Sequence, residues 1–240
     1  MKKKAFYIAI CVFIIAPILK AQVSEYNTIW NSVSRYSMES MPAGNGDIGI
    51  NAWADSVGIH FYVGKTDSWS GNGRLLKCGL IHINFNPSPF EEYRAFRQEL
   101  KLQEGLIDFV VVSDSVDLEV KIWVDANYPA IRTQVSGNRN FHCNVIFETW
   151  RNEPTIIPTN SDYFNSAYGL KGSPTPVVIE PDTVFNTDDQ LIWYHKNKKS
   201  IYPLNLNVQG LDEFVADYQD PLINRMFGGL ITGKEFAVTE

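Results

Sequence analysis

Side chains able to grip a polar ligand are concentrated in one stretch of the chain, Met41 to Gly73. Asn45 and Asp47 lie in the turn Gly44-Asn45-Gly46-Asp47, while Lys65, Asp67, Trp69 and Arg74 crowd a second glycine-bearing turn, Ser70-Gly71-Asn72-Gly73. The runs Ile48 to Ala54 and Gly58 to Val63 between them alternate in polarity and predict a hairpin. A hairpin of that kind presents amides, charges and an indole face on the same side of a sheet, a mixture that suits a sugar. Hydrolysis of a glycosidic bond would need two carboxyl groups roughly 5–10 Å apart. Asp47 with Asp67 is a candidate pair, but solvated turn acids look the same in sequence, so no residue is assigned a catalytic role.

The elements that must position these groups are strands. Val116, Leu118, Val120, Ile122 and Val124 alternate with Asp117, Glu119, Lys121 and Trp123, the period-2 pattern of a strand with one buried face. Runs rich in Val, Ile and aromatics recur at Leu80 to Phe85, Phe96 to Leu102, Leu106 to Ser113, Val116 to Asp125, Ile131 to Ser136, Cys143 to Thr149, Gln190 to His195 and Pro203 to Gln209. Turn residues separate them, among them Asn86-Pro87-Ser88-Pro89 and Glu104-Gly105. Many strands at short intervals, with no sustained helical period, predict an all-β fold: a large two-sheet antiparallel β-sandwich of the super-sandwich type. Trp150 to Asn186, rich in proline and asparagine, reads as a long insertion loop, since proline cannot donate to a central ladder. It would be anchored by the indole, guanidinium and amide of Trp150-Arg151-Asn152. The end of the sequence, Gly228 to Glu240, reads as a strand, a turn and a second strand stopping in mid-pattern, which suggests truncation.

Composition narrows the partners. The 240 residues, 45% hydrophobic and 13% aromatic, suffice for a packed core. Lys2 to Lys4, the apolar Ala5 to Leu19 and the small residue in Lys20-Ala21-Gln22 have the layout of a signal peptide over residues 1–21, shorter than the roughly 20 apolar residues of a membrane span. The expected location is therefore the periplasm or the extracellular space, with no membrane association after cleavage and residues 22–240 as the mature domain. Without the four leader lysines, 17 basic residues face 27 acidic ones, a net charge of −10. Such a surface does not attract nucleic acid or anionic membranes. Cys78 and Cys143 remain, each in an apolar run, either bridged or as ordinary core residues. His60, His82, His142 and His195 are scattered singly, and no metal or other cofactor is implied.

The motif MPAGNGDIG, a short strand pair and then KTDSWSG resembles the opening of the domain-of-unknown-function 5703 family. It is more distantly similar to family 95 glycoside hydrolases, the alpha-L-fucosidase group. The resemblance is strongest at Met41 to Leu80, Phe96 to Leu102 and Trp193 to Asn197, where the ending W-Y-H-x-N also matches. It implies an N-terminal β-sandwich preceding an (α/α)6 barrel that carries the catalytic carboxylates and acts as this domain's partner. Carbohydrate is the implied ligand, with Asn45, Asp67, Trp69, Trp150, Arg151 and His195 as the substrate-binding set. Plainer roles stand beside these: glycines that only shape turns, Asp67 capping a turn, Trp69, Trp123, Trp150 and Trp193 as core, His195 as a satisfied strand histidine. Three functions remain open: the sandwich of an exported glycoside hydrolase-like enzyme, a free-standing glycan-binding module, or a hydrolase in its own right.

Overall fold

The computed structural model describes residues 23–158, 177–234 and 236–238. The leader and the middle of the proline-rich segment lie outside them. Two five-stranded antiparallel sheets form the body. One has the order β1-β6-β7-β8-β9, from β1 (Thr28–Trp30), β6 (Tyr93–Lys101), β7 (Leu106–Ser113), β8 (Leu118–Val124) and β9 (Ile131–Gly137). The other has the order β10-β5-β4-β3-β2, from β10 (His142–Glu148), β5 (Leu75–Asn86), β4 (Gly58–Trp69), β3 (Ile48–Ala54) and β2 (Met41–Gly44). The fold is an all-β sandwich, and β3 with β4 is the hairpin that the alternation predicts.

The sheets face each other because alternate residues are apolar. Phe109, Val111, Val120 and Ile122 of the first sheet meet Ile50, Ala52, Ile59, Phe61 and Ile83 of the second in one continuous core. Burying each large side chain stabilises the fold by roughly 1.5–3 kcal/mol. In β8 the residues at 118, 120, 122 and 124 are buried and those at 119, 121 and 123 half-buried.

Two smaller sheets complete the described chain: β11 (Thr155–Ile157) with β12 (Val177–Ile179), and β13 (Asp182–Asn186), β14 (Leu191–Lys196) and β15 (Met226–Ile231) in that order. The expected long loop from Trp150 to Asn186 is thus not one loop, because its described parts contain β11, β12 and β13. Each of these strands starts beyond a proline, so the prolines punctuate the ladders without interrupting them. Trp193 and Phe227 pack with Cys78, and Phe147 borders both this cluster and the main core. Both described cysteines are free, so no bridge joins Cys78 to Cys143.

Pro203 to Gln209, expected as a strand, is instead a helix, α1 (Tyr202–Val208). Proline is accepted in the first turn, where its missing N–H would have no partner. Among the described residues no helix is long and apolar enough to cross a membrane.

Candidate functional site

One end of the second sheet gathers the polar turns. Lys65 on β4 holds Asp47 at 2.6 Å and Asp67 at 2.8 Å, so a single ammonium ties the β2–β3 turn to the overhanging tip of β4. The Asp47 hydrogen bond raises the affinity of Lys65 for its proton, and the same bond holds the Asp47 carboxyl below the usual carboxylate range. Asp47 and Asp67 are therefore spent on one cation, an arrangement that does not resemble two acids set across a bond. Asn45 is a clip. Its Oδ1 accepts from the Asp47 and Ile48 amides at 3.0 and 2.8 Å, and its Nδ2 donates to the Asp125 carbonyl, on the turn following β8, at 2.8 Å. Asn45→Ala should lower stability by about 1–2 kcal/mol in urea unfolding, since one substitution releases both a turn and an inter-sheet bond. A loss below about 0.3 kcal/mol would show that the clip is idle.

Beyond this charge group the tip of β4 is held from behind. The Asn197 side chain, fully buried, donates at 2.9 Å to both the Trp69 and the Leu222 carbonyls. Arg225 donates to the Asp67 carbonyl at 3.1 Å. The Trp69 indole, backed by these bonds, is 38% exposed.

Arg151 and His195 are brought together, but by a residue that the sequence reading does not single out. Strand pairing sets Asp182 on β13 directly opposite His195 on β14. The Asp182 carboxylate accepts from His195 Nδ1 at 2.8 Å, from Arg151 Nε and Nη2 at 2.9 and 2.7 Å, and from the Thr149 hydroxyl at 2.5 Å. None of the Asp182 side chain reaches solvent, against 1% for His195 and 9% for Arg151. Burial pushes the Asp182 carboxyl up, but the bonds from His195, Arg151 and Thr149 outweigh it and hold the group below the usual range. Phe227 stacks on His195 with ring centres 5.2 Å apart. Arg151 and His195 thus support the site from inside.

Trp150, beside that anchor, turns outward and is 47% exposed. Its ring packs on Tyr62 at 5.9 Å, Tyr62 packs on Trp53 at 5.1 Å, and the Lys77 ammonium lies 3.9 Å over the Tyr62 ring. Glu148 ends β10 at the same place. This wall on the outer face of the sheet is an apolar surface edged by a cation and a carboxylate, a composition typical of ligand sites. Of it the sequence reading names Trp150 alone. Of the four indoles open to either reading, Trp193 is core, Trp123 half-buried, and Trp69 and Trp150 reach solvent.

A hollow of about 600 Å³ lies at the far end of β5 between Asn86, Pro87, Arg139, Asn140, Phe141 and His142, and no indole lines it. Among the described residues no group of three or more His, Cys, Asp or Glu is arranged to hold a metal ion.

A family profile, described as domain of unknown function (DUF5703), matches residues 29–240. No curated protein matches the chain.

Proposed function

The chain belongs to the DUF5703 family of domains of unknown function, and on that premise we propose that it is the N-terminal β-sandwich of an exported, glycoside hydrolase-like enzyme. Its role in this reading is to line part of a sugar site that a following (α/α)6 barrel completes and supplies with catalytic acids. The observation that carries the reading is the pair of exposed indoles, Trp69 and Trp150, each on a segment fixed by a buried polar anchor, Asn197 for one and Arg151–Asp182 for the other. Rigid indoles offer flat apolar faces to sugar rings at little entropic cost. Lys65, Asp67, Lys77 and Glu148 supply the polar edge, with Asn45 and His195 shaping the rim.

The test uses a family protein whose reading frame continues into the barrel, assayed on a panel of neutral oligosaccharides that includes α-L-fucosylated ones. Trp69→Ala and Trp150→Ala should each lower kcat/KM roughly tenfold, about 1.4 kcal/mol of lost binding, while the unfolding midpoint stays within a few degrees. Unfolding with turnover per folded molecule unchanged would make the indoles structural. Tight sugar binding by residues 22–240 alone would transfer the reading to a free-standing glycan-binding module.

A further inference from the structure

Behind the aromatic wall runs a line of four titratable side chains, of which only Glu148 also borders the proposed sugar rim. Strand register sets His60 on β4 directly opposite His82 on β5. His60 Nε2 lies 2.9 Å from Asp55 Oδ1, in the β3–β4 turn, and His82 Nε2 lies 2.9 Å from Glu148 Oε2. Between the rings, His60 Nδ1 and His82 Nδ1 are 2.8 Å apart. The His60 side chain is 5% exposed, so water has little access to its ring nitrogens. Lys77 on β5, held over Tyr62, is a further charged group at the wall.

The charge of the pair follows from its hydrogens when both carboxylates are ionised. An ionised carboxylate only accepts, so both Nε2 atoms must carry a hydrogen. Burial raises the Asp55 carboxyl, yet the bonds from His60 and from the Val57 and Gly58 amides outweigh it and hold Asp55 low, in its accepting form. The 2.8 Å gap between the Nδ1 atoms admits one hydrogen. With none, two lone pairs oppose each other; with two, a pair of N–H groups collides. Three hydrogens on four nitrogens make one imidazolium and one neutral imidazole.

We propose that His60 and His82 form a single proton-binding site that locks β4 to β5, and that the loss or gain of that proton is transmitted to the Trp53–Tyr62–Trp150 wall. The route is short: Trp53 packs on His60 at 5.4 Å and on Tyr62, which carries Trp150. On the other side, Glu148 is two residues from Trp150. A second proton opens the Nδ1–Nδ1 bond, and removal of the shared proton opens it as well, so the lock is closed only in a window of pH. This site stands on strand register and hydrogen count, independently of any sugar.

The experiment is nitrogen-15 NMR of the histidine rings in the folded chain between about pH 4 and 9, the span around ordinary imidazole titration. Over an interval within it, the two rings together should carry three hydrogens, and their titration should proceed in two coupled steps. In His82→Asn, His60 should titrate in one step, and the indole N–H signals of Trp53 and Trp150 should lose the pH-dependent shift seen in the wild type. Independent titration of the two rings, with His60 unchanged by His82→Asn, would overturn the proposal. So would a pair carrying two hydrogens throughout the interval. The hydrogen count is read in the wild type, so it decides the matter even should the variant fail to fold.

Discussion

An Asp182→Asn chain is expected to unfold roughly 10 °C below the wild type, reflecting a loss of about 3–5 kcal/mol for breaking a buried ionic group on one side. The amide keeps the shape of the carboxylate but not its charge, and the Arg151 guanidinium is left buried without a counter-ion. Four donor groups converge on the two Asp182 oxygens, and an amide replaces one of those oxygens with a donor of its own. The pH dependence has a definite sign. The folded carboxyl is held below its unfolded value of about 3.9, so its stabilisation is fully present above that value and is lost as pH falls through the folded value. The gap between wild type and Asp182→Asn should therefore be at full width near neutrality, begin to narrow below about pH 4 and close only below the folded value. A midpoint shift under about 2 °C at pH 7 would show that the cluster is replaceable.

Gly71→Ala is the second substitution with a large expected cost. A Cβ at Gly71 would sit 2.1 Å from the Lys199 carbonyl oxygen, so backbone must move. The Gly71 carbonyl also accepts from the Ile201 amide at 2.8 Å, and Ile201 packs with Ile157 and Val177 in the small core beneath β11 and β12. The neighbouring Asn72 side chain donates through Nδ2 to the Val178 carbonyl at 2.9 Å. Displacing this turn should cost about 2–3 kcal/mol, in the range of overpacked sites, and the damage should be local. Hydrogen exchange at the Ile201 amide and across β11–β12 should accelerate well before that of β7 and β8. Uniform acceleration, or none, would contradict the docking role assigned to this turn.

How much of this was legible follows from how each residue signals. The β3–β4 hairpin and β8 declare themselves because one face of each is buried, which writes alternation into the chain. The helix Tyr202–Val208 does not, since seven residues are too few for a helical period and Leu204, Leu206 and Val208 alternate with asparagines as a strand would. Asp182 follows Pro181 and looks like a turn acid; only the pairing of β13 with β14 brings it to His195. His60 and His82 are 22 residues apart and become partners through register alone. Conversely, the tight glycine turns and the W-Y-H-x-N ending do mark where the tip of β4 is anchored, because Gly71 and Asn197 meet constraints that few residue types satisfy.

The strand order also sets a timetable for a chain emerging from the ribosome. Strand β5 has one neighbour, β4, close behind it in sequence, but its other neighbour is β10, paired from Asn86 with His142 onward. All four long strands of the opposite sheet, β6 to β9, are synthesised in between. At about 5–20 residues per second, the 56 residues from Asn86 to His142 take roughly 3–11 s to appear. Throughout that time β5 presents an open ladder edge bearing Ile81, Ile83 and Phe85, while the meander that will cover those side chains assembles from local hairpins. The nascent domain is therefore most exposed to mispairing midway through its own synthesis, and a chaperone that binds extended apolar segments has its natural target at β5.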